Sequence, residues 1–331
     1  MPPSGITAAA CFGRGYRERD FYHIRGLLLG GWKEISTDLS THKRNHVQPQ
    51  LQPKQTTIME TIAYGVSSVI YKMEHLKSTI IKHPFPDHQD DLRCEQQAYE
   101  LLGSHPRIAK YHGRANNNLA CEIEYYQNGC IDQAMLKIPE ILYLKWSEQI
   151  AEALVFVHSK GIIHCDIRSP TVLVTDTFDV VLADFASCRI NGVKVSTVTN
   201  NTRYRPPSYE DSGYKVGFQD DCFAFGSLVY FLLTREAPYK DLPDHEVVNL
   251  YVAGTFTDVS NWPIGAVIEK CWRGEYLSAT QLLKDISNHS TVPLVDPSEG
   301  SEIEPIEMFD LNGPLKPEPK AAQGHYANVP Y

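Results

Sequence analysis

The sequence predicts an α+β domain in which β-strands precede helices along the chain. Periodic, apolar-rich segments are confined to residues 58–288, where strand-like runs come first and helix-like runs follow, as this fold class requires. The chain has 331 residues, 42% hydrophobic and 21% charged, which is enough apolar material for one large two-lobed core. The segments on either side of this range lack helical or strand periodicity, so we expect them to lie outside the core.

The first predicted element is a β-hairpin in residues 62–72, because two apolar runs flank a tight turn at Gly65. Residues 79–82 form the next predicted strand, which ends in Lys82. A helix opened by Glu95 follows. Ala98, Tyr99 and Leu102 lie three, four and seven residues after Glu95, a spacing that predicts one buried helical face.

Residues 119–125 predict another buried strand, followed by a turn at Asn128 and Gly129. After Pro139 a helical run ends at Lys160, just before a glycine. One face of this run is apolar: Trp146, Ile150, Ala153, Leu154 and Val157. We expect this helix to pack its apolar face into the larger half of the core.

Two acidic loops follow this helix, and a predicted hairpin separates them. The first loop reads His-Cys-Asp-Ile-Arg from His164, and the second reads Asp-Phe-Ala from Asp184. Further along, Asp221 begins a run that is apolar nearly all round, so the helix it forms should be buried.

These segments together resemble the protein kinase family, whose loops read His-Arg-Asp-Leu-x-x-x-x-Asn and Asp-Phe-Gly. The phrases around His164 and Cys271 are similar to those of small, divergent fungal serine/threonine kinases. The resemblance implies a bilobal fold, with a small antiparallel β lobe carrying one key helix in residues 58–125 and a larger, mostly helical lobe in 126–288. Five residues carry it by their order and spacing: Lys82, Glu95, Asp166, Asp184 and Asp221.

The resemblance also implies catalytic roles for four of the charged residues. Lys82 would clamp the α- and β-phosphates of ATP, and Glu95 would hold that lysine in place. Asp166 would orient the hydroxyl of a serine or threonine in a protein substrate. Arg168, two residues further on, stands where the family usually has a lysine.

Asp184 and Thr171 are the implied ligands of Mg²⁺, although a threonine replaces the usual asparagine at the second position. Backbone groups near Glu124 and Tyr126 would pair with adenine. The full set of residues implied for nucleotide binding is Ile62, Gly65, Ile70, Ile80, Lys82, Glu124, Tyr126 and Leu173. Taken alone, the hairpin and the strand before Tyr126 fit ordinary structural elements equally well.

Two functions therefore stay open. The first is an active protein serine/threonine kinase, favoured because carboxylates in a cleft cost desolvation and have little structural reason to be present. The second is a pseudokinase that binds nucleotide or acts as a scaffold. The second function is favoured by five positions at which this sequence departs from the family pattern: Ala63, Ser68, Ile80, Thr171 and Ser208.

The residue before the predicted catalytic aspartate is Cys165, where the family usually has an arginine that meets a phosphate on the activation loop. Because a thiol offers no positive charge, we hypothesise that phosphorylation of that loop is not required for activity. The candidate phosphorylation sites are Ser196, Thr197 and Thr199.

Composition limits the partners and the compartment. The formal net charge of −9 argues against nucleic-acid binding, and no stretch approaches the roughly 18 apolar residues of a membrane span. The eight cysteines show neither a C-x-x-C pair nor zinc spacing, which predicts reduced, mostly structural thiols. We expect a monomer in the cytoplasm or nucleus, with ATP and a protein as its substrates.

The two ends of the chain differ in charge. Residues 1–57 carry eight Lys/Arg and four Asp/Glu, a net +4, and predict a flexible extension. Residues 289–331 are rich in proline and acidic residues, with seven Asp/Glu against two lysines, a net −5. This composition predicts a disordered tail. A solvated tail is the plainer interpretation, and a docking or self-masking segment is the alternative.

Overall fold

A computed structural model describes residues 59–73, 76–136, 142–194 and 201–290. All described residues belong to the first of the two units into which the chain divides, residues 1–292, and the second, residues 293–331, lies wholly outside them. The predicted N-terminal extension and the tail beyond Ser290 lie outside them too, as do the candidate phosphorylation sites Ser196, Thr197 and Thr199.

The first part of the described chain is a five-stranded antiparallel sheet, as the sequence predicts. Its strands run in the spatial order β1-β2-β3-β5-β4. Their bounds are Met59–Tyr64 (β1), Ser68–Met73 (β2), Thr79–Pro84 (β3), Tyr111–Ala115 (β4) and Ala120–Glu124 (β5). The register places Ile70 opposite Lys82 and Ile80 opposite Ile123, so the central strands line up residues predicted to form the nucleotide site.

One helix, α1 (Gln89–Leu102), packs against this sheet. Asp90 and Asp91 lie in its first turn, where negative charge is favoured by the helix dipole, and Gly103 with φ 63° ends it. The expectation that Glu95 opens this helix was wrong, because the helix begins six residues earlier. The apolar period alone did not reveal the acidic first turn, in which no apolar residue marks the helical face.

The second part is mostly helical, which confirms the predicted bilobal α+β architecture. Its helices are Ile131–Met135 (α2), Tyr143–Ser159 (α3), Phe218–Thr234 (α4), Asp244–Val252 (α5), Gly265–Trp272 (α6) and Ala279–Ser290 (α7). The predicted apolar face of α3 is buried throughout, and α3 packs against α4 and α7. The C-terminal boundary predicted at residue 288 falls inside α7.

Helix α4 forms the centre of this part, and the ten consecutive residues from Asp220 to Val229 are all buried. Its close approach to α6 depends on Gly226. A Cβ atom at that position would lie 2.6 Å from the Cβ of Cys271, so only glycine fits without a shift.

Five short strands in this second part flank the two acidic loops. A three-stranded sheet has the order β10-β9-β6, and β7 pairs with β8 in the predicted hairpin. Their bounds are Ile162–Ile163 (β6), Val172–Val174 (β7), Val180–Leu182 (β8), Arg189–Ile190 (β9) and Val193–Lys194 (β10). The acidic loops therefore begin and end at hydrogen-bonded strands, which fixes the ends of each loop.

Candidate active site

Lys82 of β3 lies at the centre of the candidate site, between two carboxylates that are distant in sequence. Its Nζ donates a hydrogen bond to Oε1 of Glu95 on α1 at 2.9 Å and to Oδ1 of Asp184 at 2.5 Å. The structure thus brings together three residues that the sequence predicted to meet, across 13 and 102 residues of chain.

The three groups differ in their exposure to solvent. Lys82 and Glu95 are buried, whereas 41% of the Asp184 side chain is exposed. Burial by itself lowers the pKa of Lys82, but the two carboxylates outweigh burial and raise it above its ordinary value. For Asp184, burial by itself raises the pKa, but the Lys82 ammonium outweighs burial and holds the pKa below its usual range. Asp184 is therefore ionised at neutral pH and partly accessible to solvent.

At Glu95, burial has a larger effect on the pKa than the neighbouring ammonium does. Burial raises its pKa and the nearby Asp184 adds to this effect, against the opposing attraction of Lys82. A buried carboxylate is costly unless it is paired, so the contact with Lys82 is what keeps it charged in this position. Losing either partner would leave an uncompensated charge in the interior.

The first acidic loop holds Asp166 beside Arg168. The Nε of Arg168 donates to Oδ1 of Asp166 at 2.7 Å, and Asp166 is buried whereas Arg168 is partly buried. This ion pair orients the carboxylate and offsets its charge. Its geometry brings together the two residues that the sequence predicted for this loop.

Asp221, at the start of α4, ties this loop to the core. Its carboxylate accepts hydrogen bonds from the backbone N–H of His164 at 2.7 Å, from that of Cys165 at 2.9 Å and from Nε2 of His158 at 2.9 Å. Burial alone would raise its pKa, but these donors outweigh burial and lower it. An ionised carboxylate with three donors can hold Cys165 in its left-handed conformation, with φ 65°.

Thr171 lies at the end of the same loop and is almost completely buried. Its hydroxyl lies 2.8 Å from the carbonyl of Asp166 and 2.9 Å from that of Arg168, and it accepts the Arg168 N–H at 3.3 Å. A hydroxyl has one hydrogen and two lone pairs, so this bonding leaves one lone pair. The role of Thr171 as a metal ligand stays a prediction. Asp184 is better suited to a divalent cation, because its carboxylate is ionised and partly exposed.

A column of four aromatic rings connects the sheet to the loops. Tyr111 of β4 stacks on Tyr99 of α1, Tyr99 meets Phe185 edge-on, and Phe185 meets His164, with centroid distances of 5.0, 5.0 and 4.8 Å. Sequence reasoning identified Tyr99 only as a core residue and did not predict this column. The column fixes α1, and with it Glu95, relative to the loop of Asp184.

The residues predicted for the base pocket lie on the strands that border this site. Ile80 and Ile123 are buried opposite each other on β3 and β5, and Leu173 of β7 forms an isolated bridge with Cys130. Ile62 and Ile70 of the first hairpin are partly buried against the same core. Their role in binding a nucleotide stays a prediction.

The turn of the first hairpin is closed by its backbone, since the Gly65 N–H donates to the carbonyl of Ser68 at 2.7 Å. A Cβ on Gly65 would lie 3.3 Å from the carbonyl oxygen and the hydroxyl of Ser68, which is tight. Glu124 and Tyr126, the predicted hinge residues, are both partly buried. The Tyr126 hydroxyl accepts the backbone N–H of Lys110 at 3.0 Å, which fixes the start of the connection to the helical part.

Arg203 is a second residue that sequence reasoning missed. It lies in the short helical turn Thr202–Tyr204 and forms an ion pair with Asp244 at the start of α5. Its guanidinium also bonds the carbonyls of Tyr239 and Leu242, and its own carbonyl accepts the Ser227 hydroxyl at 2.7 Å. The only available signal was its place in the phrase Thr-Arg-Tyr-Arg, which does not indicate a partner about 40 residues away.

The family model for the protein kinase domain matches residues 57–285. This chain belongs to the protein kinase family. Membership implies ATP as a substrate and usually a divalent metal. Within the described residues, no helix is both long and apolar enough to cross a membrane.

Individual relatives support the same assignment at lower identity. The chain is 24% identical over 285 residues to a probable serine/threonine-protein kinase of Clostridium acetobutylicum, covering 78% of this chain and 43% of that protein. It is 31% identical over 163 residues to cell division control protein 7 of Schizosaccharomyces pombe, covering 46% and 15%. It is 28% identical over 194 residues to mitogen-activated protein kinase kinase kinase 17 of Arabidopsis thaliana, covering 53% and 51%. The chain thus spans about half the length of these relatives or less.

Proposed function

We propose that this chain is a protein serine/threonine kinase that transfers the γ-phosphate of ATP to a hydroxyl of a protein substrate. The observation that carries the proposal is the position of Lys82, bonded to Glu95 at 2.9 Å and to Asp184 at 2.5 Å. An ammonium bonded to two carboxylates, one of them partly exposed, already has a fixed position. Little ordering of that side chain is then required when phosphate binds.

Proton transfer is the task of the first acidic loop in this proposal. Asp166 would accept a hydrogen bond from the substrate hydroxyl and direct it toward the phosphorus atom. Arg168, bonded to the same carboxylate, would stabilise negative charge that develops in the transition state. Asp221 supports both by fixing the backbone of the loop.

Asp184 is the residue that would hold a divalent cation, with Mg²⁺ as the candidate. Such a cation supplies positive charge that neutralises the phosphate oxygens during transfer. Lys82 would then shift from Asp184 toward the phosphates while it keeps its contact with Glu95. The Thr171 hydroxyl has only one lone pair left for such a cation. It would therefore be a weaker second ligand than an asparagine carbonyl.

The assembled state of the site favours an active enzyme over a pseudokinase. Lys82, Glu95, Asp166 and Asp184 are all present, and each carboxylate has a charged or hydrogen-bonded partner. The relatives in Clostridium acetobutylicum and Dictyostelium discoideum are both named probable serine/threonine-protein kinases, which supports a serine or threonine acceptor. The monomeric state stays a prediction. The seven described cysteines are free thiols, which suits a reducing compartment such as the cytoplasm or nucleus.

The first experiment measures nucleotide binding by thermal unfolding. Millimolar ATP with Mg²⁺ should raise the melting temperature, because a ligand that binds only the native state stabilises it by mass action. Lys82→Met and Asp184→Asn should each reduce that rise. The matched controls are Lys77→Met and Asp176→Asn, which change exposed residues of the same types and should keep the full rise.

Phosphate transfer to casein or myelin basic protein then tests catalysis directly. Asp166→Ala should abolish transfer and leave the ATP-dependent thermal rise nearly unchanged, since Asp166 contacts the acceptor and not the nucleotide. A wild-type protein that binds ATP without any transfer would support the pseudokinase instead. An unchanged melting curve would refute nucleotide binding altogether.

A further inference from the structure

Two buried thiols lie in contact beside the candidate site and take no part in it. Cys94 of α1 and Cys188, which follows the loop of Asp184, have their Sγ atoms 3.3 Å apart, across 94 residues of chain. Both residues are completely buried, and Cys94 can also donate its S–H to the carbonyl of Cys188 at 3.3 Å. The sequence predicted only that the cysteines are reduced, mostly structural thiols, because no spacing in the chain places these two together.

We propose that Cys94 and Cys188 form a site of reversible oxidative modification, at which hydrogen peroxide joins them in a disulfide. A disulfide requires the two sulfurs to approach to about 2.05 Å. From their present separation this is a movement of roughly 1.3 Å, which small changes in two side-chain torsions and a slight shift of α1 can provide.

The chemistry proceeds in two balanced steps. The Cys94 thiolate attacks one oxygen of hydrogen peroxide, the O–O bond breaks, and the leaving hydroxide takes up a proton as water, which leaves a sulfenic acid. The Cys188 sulfur then attacks the Cys94 sulfur and the S–O bond breaks, with the second water formed from the hydroxyl and the Cys188 proton. The two thiols lose two electrons, and the peroxide gains them.

The surroundings favour Cys94 as the residue that reacts first. The hydrogen bond with the Cys188 thiol lowers the pKa of Cys94, although burial and the charges of Glu95 and Asp91 oppose this effect. The same hydrogen bond raises the pKa of Cys188, and burial adds to it, so Cys188 stays protonated until the sulfenic acid forms. Because both thiols are buried, an oxidant reaches them only when the structure opens locally. Hydrogen peroxide is small enough to enter during such brief openings.

The position of the pair determines what a disulfide would do. Cys94 immediately precedes Glu95, and Cys188 donates its backbone N–H to Phe185 at 3.2 Å, which closes the turn after Asp184. A covalent link here would hold α1 against that turn while Glu95 remains paired with Lys82. It would therefore trap the arrangement seen in this structure and oppose any outward movement of α1.

The experiment uses the full chain, treated with hydrogen peroxide at 25 and 37 °C, blocked with iodoacetamide and digested with trypsin. Cleavage after Arg93 and Arg107 releases Cys94 in residues 94–107, and cleavage after Arg168 and Arg189 releases Cys188 in residues 169–189. Each peptide contains no other cysteine. We expect a species that joins these two peptides and that dithiothreitol separates.

Oxidation should also raise the melting temperature by about 5 °C or more, because the link closes a long loop in the unfolded chain. Hydrogen exchange of α1 should become slower. Cys94→Ala and Cys188→Ala should each remove the linked species and the thermal rise, whereas Cys222→Ala, which removes another buried thiol, should keep both.

The proposal is overturned if both peptides are recovered as free thiols at both temperatures. It is equally overturned if Cys94 is oxidised to sulfinic or sulfonic acid without linkage to Cys188. The peptide map of the wild-type chain decides this even if a variant fails to fold. These readouts do not depend on phosphate transfer, so an inactive protein that forms the disulfide would refute the proposed activity alone.

Discussion

Thr171 shows how one side chain limits what the candidate site can do. Its single hydroxyl already bonds the backbone of Asp166 and Arg168. An asparagine at this position could donate its amide hydrogens to those carbonyls and keep its carbonyl oxygen for a metal. The threonine therefore holds the loop in shape but weakens a second metal contact.

The Thr171→Asn variant should raise the rate of phosphate transfer by about tenfold, equivalent to about 1.4 kcal/mol of transition-state stabilisation. The affinity for ATP should change little, because the additional contact acts on charge that develops during transfer. Steady-state kinetics with ATP and a protein substrate separates the two effects. Asp166→Ala in the same background should remove the gain. An unchanged rate would place the limit in the hairpin of Gly65 or at Ile80 instead.

Asp220, next to Asp221, makes stability depend on pH. Burial raises its pKa to about 6, although the Gly217 N–H and the Tyr214 hydroxyl donate to its carboxylate and oppose the rise. The folded protein thus binds a proton that the unfolded chain releases near pH 3.8. Protonated Asp220 therefore stabilises the folded protein fully below pH 3.8, and this stabilisation is lost as the pH rises through about 6.

Asp220→Asn should therefore gain stability relative to the wild type as the pH increases from 4 to 7, by up to about 3 kcal/mol. Urea denaturation across this range measures the difference between the two proteins. The exposed Asp211→Asn serves as the control and should give a difference that does not vary with pH. A constant difference for Asp220→Asn as well would contradict the raised pKa.

The sequence predicted which residues meet at the site but not what holds them there. The order and spacing of recognisable sequence motifs predicted that Lys82, Glu95 and Asp184 belong to the site. The Cys94–Cys188 contact and the anchoring of Arg203 could not be predicted in this way, because each joins segments at least 36 residues apart and neither residue type indicates its partner. Such contacts depend on how the elements pack, which local patterns do not encode.

At the scale of elements, α1 is the part of the fold on which the site depends most. It carries Glu95 toward Lys82 and Tyr99 into the aromatic column. The sequence predicted the existence and buried face of this helix correctly. Its start was predicted six residues too late, because the acidic first turn is stabilised by the helix dipole and contributes no apolar period.

The Tyr99 ring and its hydroxyl should have opposite effects on stability. The hydroxyl is buried without a hydrogen-bond partner among the described residues, so Tyr99→Phe should raise the free energy of unfolding by about 1 kcal/mol. Tyr99→Ala should lower it by about 3–5 kcal/mol, because it removes the ring between Tyr111 and Phe185. Both values come from urea denaturation.

Tyr251→Phe is the matched control for the hydroxyl. Tyr251 is buried to a similar degree, but its hydroxyl donates to the carbonyl of Arg203 at 3.3 Å. Removing that donor should lower stability by about 1 kcal/mol. Equal changes in the two Phe variants would mean that the Tyr99 hydroxyl is satisfied in solution.

At the scale of the whole molecule, the two predicted extensions carry net charges of +4 and −5 that nearly cancel. A fragment of residues 57–292 should therefore keep most of the charge of the chain and all of its described elements. If the tail is merely solvated, this fragment should match the full chain in melting temperature and in transfer rate. A several-fold faster fragment would favour the self-masking alternative instead.

The end of the family match at residue 285 does not coincide with the end of the packed structure. Helix α7 continues to Ser290, Ile286 is completely buried, and Ser287 donates to Glu148 of α3 at 2.8 Å. A fragment of residues 57–285 should thus be less stable than one of 57–292 by about 2–5 kcal/mol, the usual cost of deleting a buried aliphatic side chain. Its melting temperature should fall by roughly 5–15 °C. Ile286→Ala in the longer fragment should reproduce most of that fall, because packing against α3, and not chain length, is the cause. Equal melting temperatures for the two fragments would show instead that the last turns of α7 contribute nothing to the stability of the domain.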